Sequence, residues 1–195
     1  MSLFERYPRY ANDKILYSKE DLLEYIREKE GYSECLVSLY SYERIVDNRP
    51  DPDSAIIDKL LIILDTLSEV KSLHRVLIDR KIKHLISYTG DRYYLFILTK
   101  PIRYLDIGGS VALFAMKRLE PNLTFPVSII YDPMEMIIVP NTYNPKTRRY
   151  CIPLTYEEIE YLKQEDIDRL SMRRRGRVYI PEIDSLRYLD LEEYM

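Results

Sequence analysis

The sequence predicts one α/β (α+β) domain with a mixed or antiparallel sheet flanked by helices. Three observations lead to this expectation. Stretches rich in β-branched and aromatic residues interleave with amphipathic helical patterns over most of the 195 residues. The run AIIDKLLIILDTL at 55–67 carries only Asp58, Lys59 and Asp65 as charges, which is the pattern of a strand covered on both faces. LISYTGDRYYLFIL at 85–98 sets Gly90-Asp91 between two apolar stretches, the signature of a β-hairpin.

In chain order, Ser18 opens a helix over 18–30, with Asp21 three residues on in an acidic first turn. Its apolar set of Leu22, Leu23, Tyr25 and Ile26 is expected to face inward, and Gly31 ends it. CLVSLYSYE (35–43) reads as a strand and DNRPDPDS (47–54) as turn chemistry throughout. After the 55–67 strand, Val70, Leu73, Val76, Leu77 and Ile82 recur at helical spacing over 68–84. Arg80, Lys81 and Lys83 crowd the last turn, where the helix dipole favours cations.

The hairpin follows and Pro101 closes it. A helix is expected near 107–119, after Gly108 and Gly109. VSIIYD (127–132) and EMIIVP (135–140) read as a strand pair, NTYNPKTRR (141–149) as a basic turn, and YCIPL (150–154) as a strand. Thr155 and Glu158 have capping-box spacing and start an acidic amphipathic helix over 155–171. RRRGR (173–177) is a charge run, and VYIPEI (178–183) reads as a short edge strand. The chain is too short to split, so the expectation is one domain over 1–195 with a helical C-terminal extension over 155–195.

A formal charge of -3 excludes a globally basic nucleic-acid binder and leaves only local basic patches for such contact. Cys35 and Cys151 sit in apolar contexts, which fits buried thiols in a reducing compartment better than a disulfide framework. The N-terminus MSLFERYPRY lacks the apolar core of a signal peptide, and no stretch reaches the ~18–20 apolar residues of a membrane span. An intracellular, cytoplasmic location is therefore expected. Gln164 is the only glutamine and charged residues are dense, a bias that leans toward a thermophile.

Two strings carry a resemblance: IVDNRPDPDSAIIDKLLIILD (45–65) and VPNTYNPKTRRYCIPL (139–154). They resemble the first and third motif regions of archaeal plasmid and virus primase-polymerases in the archaeo-eukaryotic primase superfamily, and the similarity spans about residues 35–155. In that family a buried strand ends in Asp-x-Asp, a hairpin turn leads to a histidine, and a third aspartate precedes an arginine-bearing strand. Primer synthesis needs two divalent cations between carboxylates, and carboxylates at i and i+2 of a strand grip both from one face.

Here the triplet is Ile63-Leu64-Asp65, so one carboxylate is missing. The turn matches SYTGDRYY (87–94), with Thr89 and Gly90 at the bend and Arg92 as a phosphate partner. The histidine position falls on Tyr94 or Leu95. Asp132 stands for the third aspartate, while Glu135 and Ile138 replace the arginines. The resemblance therefore implies a degenerate centre with residual metal candidates Asp65 and Asp132, and Mg or Mn as cofactor only if activity persists. The superfamily contains a parallel in the non-catalytic accessory subunit of crenarchaeal primases.

The expected nucleotide or nucleic-acid contacts are Arg92, Asn141, Thr142, Lys146, Arg148, Arg149, Arg173, Arg174 and Arg175, with Tyr143, Tyr150 and Tyr179 near enough to stack on bases. The expected partners are single-stranded DNA or a primer-template, and a primase subunit or replication helicase. Plainer readings stand beside these. Asp65 also fits a cap for the next helix or a partner for Lys59, Asp132 fits a turn before Pro133, and the basic strings fit solvated charge runs. His74 and His84 lack a third ligand for zinc and read as structural or surface residues. Two alternatives remain: an active primase-polymerase with Asp58 and Asp91 as relocated ligands, and a protein-interaction module using the 155–171 helix and the tail LDLEEYM (189–195).

Overall fold

A computed structural model describes residues 3–12, 14–29, 31–107, 109–176 and 185–194. The strand expected at VYIPEI, together with Arg177 and Tyr179, lies outside the described residues. Strands β1 (Arg9–Ala11) and β2 (Lys14–Leu16) form a hairpin before helix α1 (Lys19–Lys29). Short strands β3 (Leu36–Ser38), β4 (Ser41–Tyr42), β5 (Ile45–Val46) and β6 (Arg49–Pro50) lead to the long strand β7 (Ala55–Leu64). Helix α2 (Leu67–Asp79) is followed by the hairpin of β8 (His84–Tyr88) and β9 (Tyr93–Arg103).

Helix α3 (Ser110–Phe114) continues into a π turn at Ala115–Leu119. Then come β10 (Ile129–Ile130), β11 (Met136–Ile138), β12 (Tyr143–Asn144), β13 (Arg149–Tyr150) and β14 (Ile152–Leu154). Helices α4 (Tyr156–Tyr161) and α5 (Gln164–Leu170) complete the set.

The central sheet has the order β10-β7-β9-β8-β14, with β4 also paired to β7, and every pairing in it is antiparallel. Leu60, Leu61 and Ile62 are all fully buried, so successive side chains on both faces of β7 are covered, as the apolar run predicts. A second, smaller core joins Ala11, Leu16, Leu22, Tyr25, Cys35, Val37 and Val139 between the first hairpin, α1 and β3. No helix among the described residues is long and apolar enough to cross a membrane.

Local signals place most element starts. Ser18 Oγ accepts the Asp21 N–H at 3.1 Å while the Asp21 carboxylate accepts the Ser18 N–H at 3.1 Å. Thr155 and Glu158 form the expected capping box, and Thr66 with Glu69 forms another at the start of α2. Within α1, Leu22 and Tyr25 are buried but Leu23 points outward.

Six expectations are corrected by longer-range contacts. The 35–43 strand breaks at Leu39–Tyr40, where the Leu39 carbonyl turns to accept from Arg9 Nη1 (2.9 Å) and Lys59 Nζ (3.2 Å). Helix α2 ends at Asp79, so Ile82 and His84 leave the helix and His84 opens β8. Pro101 does not close the hairpin but lies within β9. There a bulge sets Thr99–Pro101 opposite Asp58, so the missing N–H costs no ladder bond.

The 127–132 and 135–140 segments do not pair with each other. The Asp132-Pro133 turn sends β11 away to β3 while β10 stays on β7. The 155–171 helix splits at Leu162, whose backbone is extended. Lys71 Nζ satisfies the freed carbonyls of Glu160 and Leu162, both at 3.1 Å. Beyond α5, the described C-terminal residues form an extended strap ending in a 3₁₀ turn at Leu191–Tyr194, so the extension is helical only in part.

Candidate functional site

The register of β7 against β9 sets the geometry around Ile63-Leu64-Asp65. Ile63 lies opposite Tyr94 and Leu64 opposite Tyr93. Strand periodicity puts Ile63 and Asp65 on one face with Tyr94 as the cross-strand neighbour of Ile63. Leu95 pairs with Ile62 on the opposite face and is fully buried, so of the two candidate positions Tyr94 shares the face of Ile63. The Tyr94 phenol is pushed up to about 12 by its burial, with Cys151, Glu135, Asp91 and Glu34 adding to the shift.

Asp65 is 79% exposed, 3.7 Å from the exposed Arg92. It neither caps α2, a role taken by Thr66, nor pairs with Lys59. Asp132 is exposed and accepts the Met134 N–H at 2.8 Å, closing the turn over Pro133. Glu135 is part-buried, and its carboxyl is pushed up by that burial and then by the Asp132 charge. Ile138 is buried on β11 opposite Leu36. Among the described residues, no group of three or more His, Cys, Asp or Glu is placed to hold a metal ion. The donor set at this face, one exposed aspartate beside an isoleucine and a tyrosine, does not fit a two-cation cage.

The candidate relocated ligands are occupied elsewhere. Asp58 binds Lys59 Nζ and lies 3.9 Å from Arg9 Nη2, and Asp91 accepts from Thr89 Oγ1 at 2.8 Å inside the hairpin turn. Arg9 is completely buried and Lys59 nearly so, which the sequence pattern did not signal. Burial pulls the Lys59 ammonium down to about 8 against the upward pull of Asp58.

The nine basic and polar contact candidates divide in two. Asn141 clamps the Arg175 backbone through Nδ2 and Oδ1, both at 2.9 Å, and Thr142 is buried with its hydroxyl on the Val139 carbonyl. Arg149 binds the Asp168 carbonyl (2.6 Å) and Ser171 Oγ (3.1 Å), and Arg175 forms a two-point pair with Glu158 (2.7 and 2.9 Å). These four side chains hold the fold together. Arg92, Lys146, Arg148, Arg173 and Arg174 stay exposed, with Lys146 paired to Glu34 at 3.1 Å.

The β8–β9 turn is joined to the β12–β13 loop, because Asn144 Nδ2 (3.0 Å) and Thr147 Oγ1 (3.3 Å) both donate to the Thr89 carbonyl. The Thr89 hydroxyl is spent on Asp91 and the Arg92 backbone. Tyr143 and Tyr150 face each other edge-on at 5.4 Å, half-buried. Neither Cys35 nor Cys151 is in a disulfide, and both are buried.

His74 and His84 form a direct pair, with Nδ1 of His74 2.8 Å from Nε2 of His84. His84 Nδ1 lies 2.9 Å from the Ile82 carbonyl, an acceptor only, so Nδ1 carries the proton and Nε2 accepts from His74. That lone pair is therefore not available to a metal. Burial pulls His84 down to about 3, far below the ordinary 6.5. Unfolding releases an imidazole that protonates below pH 6.5, so stability falls as pH drops from 6.5 toward 3, by up to about 1.4 kcal/mol per pH unit. Thermal melts at pH 7.5 and 5 are expected to show this loss, and a smaller one in His84→Gln. Equal losses would mean that His84 titrates freely in the fold.

No known protein-family model matches this sequence, and no curated protein does. Among solved structures, the fold is similar to the polymerase domain of Mycobacterium tuberculosis ligase D in complex with DNA, with a TM-score of 0.46 and 16% identity. The match covers 70% of this chain, which spans 58% of that one.

Proposed function

We propose that this chain is a non-catalytic, primase-like domain acting in DNA replication, as an accessory primase subunit or a nucleic-acid-binding module. The observation that supports the reading is the composition of the β7–β9 face. The strings IVDNRPDPDSAIIDKLLIILD and VPNTYNPKTRRYCIPL retain the look of the superfamily scaffold, while Ile63, Tyr94, Glu135 and Ile138 stand where it carries a carboxylate, a histidine and two arginines. Phosphoryl-type transfer relies on metal-held and cationic charge at the triphosphate. Here Glu135 and Asp91 put negative charge near Tyr94, and the nearby cation, Arg92, is paired with Asp65.

The exposed cations Arg92, Lys146, Arg148, Arg173 and Arg174 suit phosphate contact without chemistry. The test is a synthesis assay with template, Mg²⁺ or Mn²⁺ and labelled nucleotides. No primer is expected from the wild type or from Asp65→Ala. Primer synthesis that Asp65→Ala abolishes would overturn the reading.

A further inference from the structure

The end of the molecule away from the Gly90 turn carries a second charged surface. A groove of about 800 Å³ is lined by Arg80, Lys81, Lys100, Arg118 and Arg187, with Asp190 and Glu193 as its carboxylates. Among the described residues, five cations therefore face two carboxylates on a protein whose overall charge is -3. Lys100 is paired with Asp190, and Arg118 Nε donates to the Tyr194 hydroxyl at 3.1 Å. Arg80, Lys81 and Arg187 are exposed, and their side chains have no partner among the described residues.

Three separate segments build this surface. Arg80 and Lys81 follow the last turn of α2, where the helix dipole already favours cations. The dipole gives no reason for Arg187. It comes from the C-terminal strap, whose backbone is pinned beside them: the Arg187 N–H donates to the Lys81 carbonyl and the Lys83 N–H to the Arg187 carbonyl, both at 2.8 Å. One step on, the Leu189 N–H donates to the Leu98 carbonyl (2.9 Å) and the Lys100 N–H to the Leu189 carbonyl (2.8 Å), which holds the strap along β9. Leu186, Leu189 and Leu191 anchor it in the core. The fold thus fixes like charges side by side, an arrangement that opposes stability unless an anion relieves it.

We propose that this groove is a second binding site for the phosphodiester backbone of single-stranded nucleic acid, separate from the cations at the hairpin turn; the inference rests on the nucleic-acid-binding reading above. Arg92 and Lys100 lie eight residues apart on or beside β9, so the two surfaces are about 25 Å apart along the strand. At the rim, Lys83 Nζ lies over the partly exposed Tyr188 ring, 4.9 Å from its centroid, and brings one more cation beside the groove. Local cationic grooves with aromatic rims bind single strands without sequence preference, with strong salt dependence.

The experiment is fluorescence anisotropy of a labelled oligothymidylate over a salt series. It compares wild type, the groove variant Arg80→Gln/Lys81→Gln/Arg187→Gln and the turn variant Arg92→Gln/Arg148→Gln, each checked for a melting temperature no lower than that of the wild type. The groove variant is expected to bind at least about tenfold more weakly at moderate salt, with the slope of log K against log salt reduced by about 2, as for three lost phosphate contacts. Wild-type binding that the groove variant retains in full, in affinity and slope, would overturn the groove while leaving the nucleic-acid reading intact. Failure of the wild type to bind at low salt would overturn both.

Discussion

Asp58→Ala is expected to lower the unfolding free energy by about 3–5 kcal/mol, measured as a shift in urea midpoint at unchanged m-value. Asp58 pairs with two buried cations, Arg9 at 0% and Lys59 at 2% side-chain exposure, and Glu5 adds a weaker attraction at Lys59. Arg9 gives Nη1 to the Ser38 (3.0 Å) and Leu39 (2.9 Å) carbonyls, but its Nε and Nη2 have no hydrogen-bond partner. Removing the carboxylate leaves two desolvated positive charges side by side.

Lys59 has an exit in losing its proton, since burial already holds it at about 8 against an ordinary value near 10.5. A group whose folded pKa is depressed gains stability as pH rises, because the unfolded chain keeps the proton longer. In the variant that window extends below 8, so Asp58→Ala is expected to recover stability between about pH 7 and 9 more steeply than wild type. Asp58→Asn, which keeps an acceptor, falls between the two. A loss under about 1 kcal/mol in Asp58→Ala would mean that water reaches both cations.

Gly90→Ala is expected to cost about 2–4 kcal/mol, from backbone strain and overpacking together. Gly90 has φ = +105°, a conformation that L side chains rarely adopt. An added Cβ would stand 2.8 Å from Thr147 Cβ and 3.0 Å from Arg149 Cβ, with Thr147 Oγ1 nearer still. The damage falls on the junction between the β8–β9 turn and the β12–β13 loop. A double-mutant cycle with Thr147→Gly separates the causes: relief of the clash recovers part of the loss, and the φ strain keeps the rest. Full additivity of the two substitutions would mean that the loop moves aside without cost.

What the sequence alone determined is what short-range chemistry controls. The buried strand β7, the caps at Ser18 and Thr155 and the turn at Gly90 rest on side-chain alternation, on hydroxyl-to-amide bonds three residues long and on one positive φ, all readable in a window of a few residues. What only the tertiary structure decided depends on partners far away in sequence. Register chose Tyr94 over Leu95 as the neighbour of Ile63. Asp168 and Glu158, 19 and 17 residues away, took Arg149 and Arg175 out of the basic runs and into the fold. Arg9 found its carbonyl partners 29 and 30 residues on, and the C-terminal strap carried Arg187 to Lys81. A charge reads alike in sequence whether it ends in water, in an ion pair or in the core, because its fate is set by the desolvation and pairing that only the assembled chain imposes.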